Sequence, residues 1–429
     1  MESSKVKVLI VNTYDRGGAA NACLRLHEGL LGEDVNSNVL VLKKQKHINK
    51  TTQFVFQKKK EPRVKIIFNK LILFLKVLGF IKMKPFSKEA QFLKDRPKGL
   101  EMFSFPNSSF DITASPLYKE ADIINLHWVA NFLDYQSFFE KNKKPVIWTL
   151  HDMNPFLGGE HYKENFLGID ENGTPILRKR LQIEKSIEEQ LVGYKSKILQ
   201  SVENLTIVTP SNWLSLEVKK STAFKNKKVL TIPYGLNMEL FKSIDVTYSR
   251  AVFNMPYNKT IVLFVADSIN NNRKGFRLLK AAIQELNSKD VLLCAIGKKQ
   301  GELSTFGNVL ELGEIKDERL MAVAYSAADV FVIPSLMDNL PNTVLESLAC
   351  GTPVIGFNIG GIPDMIEEGE NGILCDEISS FGLKKAIEKF LNIKDRFDKK
   401  RIRENAAKKY DLSVQAQAYS KLFKSTLKD

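Results

Sequence analysis

The sequence of 429 residues lacks the features of several protein classes. No apolar run approaches the roughly 18 residues of a membrane span, and the first strand-like run follows MESSK without a visible signal segment. Cysteines are few and far apart among apolar or small neighbours, which favours reduced core thiols over disulfides or a metal site. They are Cys23, Cys294, Cys350 and Cys375. These absences predict a cytoplasmic protein.

Motifs for several ligands are also missing. Neither the G-x-G-x-x-G dinucleotide fingerprint nor the G-x-x-x-x-G-K-[ST] phosphate loop occurs. There is no D-x-D and no His/Cys cluster, so we expect no metal bridging a phosphate ligand. Zinc-finger, RNP-like and recognition-helix patterns are absent, which argues against a nucleic-acid partner.

The positive charge is concentrated in one segment. Residues 43–84 hold 13 Lys and Arg against one acid, which supplies +12 of the net +14. Within it, residues 64–83 read VKIIFNKLILFLKVLGFIKM, an apolar helix candidate interrupted by lysines. Two interpretations remain open. The segment either lies on an anionic membrane surface or forms a core helix flanked by solvated lysines and a basic loop.

Short apolar runs alternate with helical stretches along the whole chain, which is typical of parallel sheets with crossover helices. Two series of such runs flank 233–257, where Pro, Gly and Asn replace periodic apolar residues. We predict an α/β fold with Rossmann-like domains at 1–235 and 236–410, and a last helix within 411–429 that packs on either domain. The predicted strands are Lys7–Asn12, Asn38–Leu42, Ile123–Leu126, Val146–Leu150, Leu205–Thr209 and Lys228–Ile232, then Thr260–Ala266, Val291–Gly297, Val309–Leu312, Val330–Pro334, Pro353–Phe357 and Gly372–Cys375.

Three positions in the first half follow predicted strands. Gly17 and Gly18 stand between a strand and a helix, where backbone N–H groups can approach an anionic or sugar ligand. His127 and His151 each end a strand, and ligands of open α/β sheets bind beyond the carboxyl ends of strands. Both histidines are therefore candidates for substrate contact, with a structural role as the alternative. His151 is preferred because a polar loop rich in turns follows it.

A stronger pattern lies in the second half. After the strand ending at Pro334 comes a loop with Asp338, and Pro341 is placed as the first residue of a helix that contains Glu346. The free N–H groups of Asn342 and Thr343 would then point at an anion. This layout suits a sugar, a phosphate and a ribose in sequence.

Another strand end, at residue 266, leads through a polar loop to two cations. Arg273 and Lys274 are placed there to neutralise phosphate oxygens in a cleft, where cations stabilise a leaving group best. As isolated residues they would be solvated surface charges. Their position at a strand end favours the functional interpretation.

Taken together, these motifs resemble those of the retaining glycosyltransferases of family 4, which have the GT-B architecture of two Rossmann-like domains facing each other across a cleft. The resemblance is specific across 260–375 and looser in the first half. It rests on Asp338-x7-Glu346, similar to the family's Glu-x7-Glu, on the continuation ACGTPVI at 349–355, on GGIPD at 360–364, GENG at 369–372 and Lys274-Gly275, and on Gly17-Gly18, TLHD at 149–152 and VTPS at 208–211.

The resemblance implies roles for individual residues. Asp338 would contact donor sugar hydroxyls, Glu346 the ribose, and Lys274 the departing diphosphate. His151 would lie near the reacting carbon and the acceptor. The remaining implied contacts are Gly17 and Gly18 on the opposite wall, and the backbone groups of Leu340, Asn342 and Thr343 on sugar and phosphate.

Three departures from the family pattern alter these expectations. Asp338 is shorter than the usual Glu, so hydroxyl contacts or sugar preference differ. Asp267 stands where the family commonly has Arg, and neighbouring Arg273 is the predicted substitute. Pro341 replaces a position usually held by Gly and lacks one backbone donor.

The predicted function is a metal-independent, retaining transfer of a sugar from a nucleoside diphosphate in bacterial surface polysaccharide assembly. The expected acceptor is a saccharide, lipid-linked at the cytoplasmic membrane face, and the basic segment 43–84 would provide peripheral membrane contact. Two alternatives stay open. One is nucleotide-sugar epimerisation or hydrolysis on the same fold, and the other is a non-enzymatic basic adaptor.

Overall fold

A computed structural model describes residues 5–55, 88–97, 100–298 and 308–428, with the side chains of 88–90 excluded. Most of the basic segment, residues 56–84, lies outside the described residues, so the two interpretations of it stay open. Within the described parts, no helix is long and apolar enough to cross a membrane. The four cysteines are free and buried, as the sequence predicts.

The N-terminal lobe is built on a seven-stranded parallel sheet with the order β3-β2-β1-β4-β5-β8-β9. Its elements are β1 (Val6–Tyr14), α1 (Gly18–Leu31), β2 (Val35–Lys43), β3 (Thr51–Gln53), α2 (Lys88–Asp95), α3 (Pro116–Glu120), β4 (Ile123–Leu126), α4 (Tyr135–Lys141), β5 (Val146–Thr149), the hairpin strands β6 (Phe166–Ile169) and β7 (Pro175–Leu177), α5 (Gln182–Gln200), β8 (Leu205–Thr209), α6 (Asn212–Lys220) and β9 (Lys228–Thr231). Strands β4 and β5 are buried at every position because helices cover both faces of the sheet.

The C-terminal lobe contains a six-stranded parallel sheet with the order β12-β11-β10-β13-β14-β15. Its elements are α7 (Val246–Val252), β10 (Thr260–Ser268), α8 (Phe276–Leu286), β11 (Val291–Lys298), β12 (Val309–Gly313), α9 (Glu318–Ala327), β13 (Val330–Ile333), α10 (Asn342–Ala349), β14 (Val354–Phe357), β15 (Gly372–Cys375), α11 (Ser380–Ile393) and α12 (Lys399–Tyr410). The predicted strands all occur in the two sheets, with ends shifted by up to three residues.

Local chemistry explains where the helices start. Ser211 accepts a hydrogen bond from Leu214 N as the N-cap of α6, and Asp398 accepts from two amides at the start of α12. Pro341 is the N-cap of α10 and not its first residue, because its ψ of 121° is extended. The prediction for Pro341 was therefore wrong by one position, and Asn342 begins the helix.

The last helix, α13 (Leu412–Thr426), returns to the N-terminal lobe. Its Ala416, Tyr419 and Phe423 are completely buried and share a core with α1 and β1. The chain thus passes between the lobes twice, and the two passages lie side by side. Leu236 N donates to Tyr410 O at 2.8 Å, and Leu412 N donates to Leu236 O at 3.0 Å.

Candidate active site

Both sheets reverse their winding direction, between β1 and β4 in one lobe and between β10 and β13 in the other. Ligands of doubly wound sheets bind at such switch points, beyond the carboxyl ends of the strands. Here the two switch points face one another across a cleft of about 840 Å³. Of the predicted site residues, those that line it are Gly17, Gly18, His151, Arg273, Lys274, Asp338, Leu340, Asn342, Thr343 and Glu346.

The C-terminal wall holds a buried ion pair. Lys274 Nζ lies 2.6 Å from Asp338 Oδ2, and Arg273 Nη1 lies 3.5 Å from the same oxygen. Burial by itself would raise the pKa of the Asp338 carboxyl, but the two cations outweigh it and hold the pKa below its usual value. The Asp338 carboxylate is therefore ionised at neutral pH and presents acceptor oxygens to the cleft.

Gly275 allows the loop with Lys274 to pack against the end of β13. It has φ of +69°, in the left-handed region, and a Cβ atom there would lie 1.8 Å from Pro334 O. On the other side of the turn, Leu336 N donates to Arg273 O at 2.8 Å. The two strand-end loops thereby hold Lys274 and Asp338 at bonding distance.

Arg273 is held by groups from both lobes. Its Nε donates to Glu101 Oε1 at 2.6 Å, its Nη1 donates to Met337 O at 2.6 Å, and its guanidinium lies 4.7 Å from the centre of the Tyr162 ring. Arg273 lines the cleft, but several of its donors bind protein groups. Asp267, by contrast, has a side chain that is 86% exposed and lies 3.9 Å from Lys298 Nζ.

Helix α10 carries the second carboxylate into the cleft. Glu346 is buried, its Oε1 accepts from Arg25 Nη2 at 2.8 Å, and its Oε2 accepts from Tyr325 O–H at 3.1 Å. Burial raises the pKa of Glu346 above its usual value, and Arg25 opposes that shift. At the start of the same helix, the side chain of Asn342 donates to Gly18 O at 2.9 Å in the other lobe.

The N-terminal wall has a chain of neutral hydrogen bonds. Asn125 donates through Nδ2 to Ile147 O and Thr149 Oγ1, so its Oδ1 accepts from Nε2–H of His127. His127 Nδ1 then accepts from His151 Nε2–H at 2.9 Å. The same logic leaves His151 Nδ1 to accept from a phenol hydroxyl.

That hydroxyl belongs to Tyr234, at 2.7 Å from His151 Nδ1. Burial lowers the pKa of His151 to about 4 and lowers the pKa of His127 well below its usual value. Both rings are therefore neutral at pH 7. His151 lines the cleft, whereas His127 is 2% exposed, lies behind it and supports it without facing the large cleft.

Sequence reasoning missed three site residues. Glu101, in an irregular segment, and Tyr234, between β9 and the C-terminal lobe, line the cleft, and Arg25, within α1, contacts the lining residue Glu346. Only Tyr234 had a usable signal, because the chain must cross the cleft near the predicted domain join. Arg25 and Glu101 contact site residues far away in sequence and have no local motif.

The arrangement suits an anionic ligand with several hydroxyl groups. The N-terminal turn of α10 and Lys274 favour negative charge, while Asp338 and Glu346 offer acceptors for hydroxyl groups. Within the described ranges, no group of three or more potential metal ligands occurs.

Solved structures identify the class of fold. Sucrose-phosphate synthase from Thermosynechococcus elongatus superposes with a TM-score of 0.67 at 18% identity, covering 98% of this chain and 99% of that one. Anabaena HepE in complex with UDP-glucose gives 0.61 at 16% identity over 98% and 99%. The protein has the GT-B fold of glycosyltransferases, as the sequence predicts.

The family model for group 1 glycosyl transferases matches residues 259–392. This part of the chain is therefore similar to group 1 glycosyltransferases, in the same range where the motifs resemble a glycosyltransferase family. It contains Lys274, Asp338 and Glu346.

Curated relatives match parts of the chain at higher identity than these solved structures. The D-inositol 3-phosphate glycosyltransferase of Mycolicibacterium smegmatis is 28% identical over 315 residues, which cover 65% of this chain and 63% of that protein. The protein of the same name from Corynebacterium diphtheriae is 26% identical over 220 residues, covering 46% and 50%. The match thus spans about half to three fifths of these two relatives.

Proposed function

We propose that this protein is a retaining glycosyltransferase that moves a sugar from a nucleoside diphosphate to a hydroxyl group of a saccharide acceptor. One observation carries the proposal. The paired Lys274 and Asp338, the N-terminus of α10 and Glu346 all face one cleft between the lobes. The group 1 match across 259–392 supports the same chemistry.

Each polar group has a place in donor binding. The diphosphate lies at the amides of Asn342 and Thr343 and near Lys274, whose ammonium has two donors left besides the one on Asp338. Asp338 accepts hydrogen bonds from hydroxyls of the donor sugar, and Glu346 accepts from the ribose. Leu340 contributes backbone groups, and Gly17 and Gly18 form the opposite wall. Arg273 reaches the phosphate with the part of its guanidinium that Glu101 and Met337 leave open.

The proposed transfer needs no nucleophile from the protein. The acceptor oxygen forms a bond to the anomeric carbon on the face from which the nucleotide leaves, as the bond to the phosphate oxygen breaks. The acceptor proton passes to that departing oxygen. The occupied ring nitrogens of His151 support this route, because neither is free to take the proton. Lys274 and α10 stabilise the charge that develops on the diphosphate.

The donor and acceptor classes are part of the proposal. HepE binds UDP and UDP-glucose in its solved structures, which makes UDP the first nucleotide to test. We propose a saccharide acceptor, lipid-linked, at the cytoplasmic side of the membrane. The fold neighbour WaaG is involved in lipopolysaccharide biosynthesis. We expect the transfer to need no metal ion.

A thermal-shift screen of UDP, ADP and GDP, each with and without a bound sugar, tests donor binding. A specific ligand raises the unfolding temperature through its affinity for the folded state. We expect one base to stabilise the wild type and Lys274→Ala to lose most of that shift. Lys220→Ala, which changes a lysine whose side chain is 69% exposed, is the matched control. No shift with any nucleotide would leave a non-enzymatic adaptor as the better interpretation.

Turnover of the selected donor separates the enzymatic alternatives. A transferase releases nucleoside diphosphate faster when a saccharide acceptor is added, and the product retains the anomeric configuration. Release at the same rate without any acceptor would indicate hydrolysis, and a changed sugar still attached to nucleotide would indicate epimerisation.

Membrane contact is tested by liposome sedimentation. We expect the full chain to sediment with vesicles that contain anionic lipid and not with neutral ones. Deletion of residues 58–84 should abolish sedimentation with the anionic vesicles. Equal sedimentation with and without the segment would refute its membrane role.

A further inference from the structure

Arg25 is a buried N-terminal lobe cation that contacts Glu346, a residue lining the cleft. It lies in α1 and is 6% exposed. Its Nη2 is 2.8 Å from Glu346 Oε1 and 2.9 Å from Glu318 Oε1, and its Nη1 is 3.3 Å from Asn342 Oδ1. All three partners belong to the C-terminal lobe. The guanidinium also lies 5.3 Å from the centre of the Phe241 ring.

The contact with Glu346 decides which form of that carboxyl group meets a ligand. A buried carboxylate without a cation is destabilised and takes up a proton. The protonated group would present an O–H donor on one oxygen and lose acceptor capacity there. With Arg25 on Oε1 and Tyr325 on Oε2, each ionised oxygen keeps a lone pair for a ligand hydroxyl.

We propose that Arg25 is a positioning residue that couples recognition of the nucleotide ribose to closure of the lobes. This inference rests on the proposed function, in which Glu346 binds the ribose. Arg25 and Glu346 stand on different lobes, so their contact exists only when α1 and α10 approach each other. A closed cleft therefore presents to the ribose diol a Glu346 that is held by Arg25 and Tyr325, and an open cleft lacks the contact with Arg25.

The test compares ribose preference in wild type and variants. Binding of UDP, ADP and GDP is measured beside the 2′,3′-dideoxy form of each, which lacks the hydroxyls that Glu346 would accept. We expect the wild type to prefer the ribonucleotide by about tenfold or more, as for a hydrogen bond to a charged group. In Arg25→Met this ratio should fall close to one. General damage to the site would weaken both nucleotides and leave the ratio unchanged.

A double-mutant cycle shows whether Arg25 acts through its partner. Glu346→Gln should lower the ribose preference, and adding Arg25→Met should lower it no further. Arg319→Met is the matched control, because Arg319 is on α9, pairs with Asp317 and has a side chain that is 80% exposed. It should keep the wild-type ratio.

Each outcome has a distinct meaning. If no nucleoside diphosphate binds the wild type, the proposed function fails. If one binds but the wild type shows no ribose preference, or Arg25→Met keeps that preference, the role of Arg25 is refuted while donor binding stands. Should Arg25→Met not fold, Arg25→Gln also removes the charge while keeping a polar side chain, and an unchanged ratio in it would refute the proposal too.

Discussion

The strand ends on the two walls of the cleft have the same topological origin, but the pairs of residues that meet there differ in charge. Each is formed at the switch point of a doubly wound parallel sheet. The C-terminal wall carries charge, with Lys274 and Asp338 paired at 2.6 Å, while the strand ends of the N-terminal wall meet through the neutral rings of His127 and His151. In the proposed function, the charged pair of the C-terminal lobe would bind the leaving group and the neutral histidine pair would lie beside the reacting carbon, while Arg16, Lys46 and Asp152 add charge elsewhere on the N-terminal wall.

Substitution of Gly275 and of Gly17, one glycine from each wall of the cleft, should give the largest difference in stability. In Gly275→Ala the new Cβ meets Pro334 O at 1.8 Å on a backbone with φ of +69°, so we expect a loss of about 3 kcal/mol from the free energy of unfolding. Gly17→Ala meets no atom within 4 Å and bears only the strain of φ +98°, about 1–2 kcal/mol. Urea unfolding followed by circular dichroism measures both. Equal losses of unfolding free energy in the two variants would show that the close packing at Gly275 does not contribute to stability.

Neutralising the charged wall should separate binding from turnover. Asp338→Asn removes the negative charge and one of the two acceptor oxygens proposed for the donor sugar and weakens the hold on Lys274, so transfer should fall about a hundredfold. Affinity for the free nucleoside diphosphate should stay equal or rise. Calorimetry and initial rates measure the two effects. A parallel loss of both would mean that Asp338 holds the shape of the site and does not contact the sugar.

The neutral wall predicts a loss of stability in acid. The pKa of His151 is about 4 in the folded protein against about 6.5 in an unfolded chain, so the unfolded state binds more protons between these values. The stability that the protein has because His151 is neutral is fully present above pH 6.5 and declines as the pH falls toward 4. Between pH 7 and pH 5 we expect a loss of about 2 kcal/mol from this group.

Tryptophan fluorescence is a suitable probe for that loss, because the three tryptophans, Trp128, Trp148 and Trp213, all belong to the N-terminal lobe. His151→Asn should reduce the pH dependence of urea unfolding relative to wild type. Tyr234→Phe should retain the dependence while lowering stability by about 1 kcal/mol at pH 7, because His151 loses a hydrogen bond. Identical pH profiles in wild type and His151→Asn would contradict the neutral pair.

The sequence predicted the C-terminal wall better than the N-terminal wall, for a physical reason. Lys274 and Asp338 each follow a strand of one sheet closely, and Glu346 lies on the helix after the second of these strands, so local order along the chain fixes their place in space. The strands themselves were recoverable because those buried on both faces read as continuous apolar runs. The GT-B fold followed from the two series of such runs together with the motifs.

Contacts between the lobes could not be predicted from local sequence patterns. Arg25 has no feature in the sequence that distinguishes it from other helix residues, yet its guanidinium binds carboxylates about 300 positions away. Arg273 was predicted as a phosphate ligand, but no residue near it in the sequence indicates that it would bind Glu101. His127 and His151 look alike at strand ends, and only their hydrogen bonds separate the ring at the cleft from the ring behind it.

The return of α13 to the first lobe affects how the chain is made. The Tyr419 hydroxyl forms a hydrogen bond with Thr149 Oγ1 at 2.8 Å, and Tyr419 packs with Phe423 against the N-terminal sheet. A nascent chain leaving the ribosome therefore lacks part of the cover of its N-terminal sheet until residues 412–426 have been made. We expect synthesis stalled before residue 412 to leave the apolar positions under α13 open to chaperones.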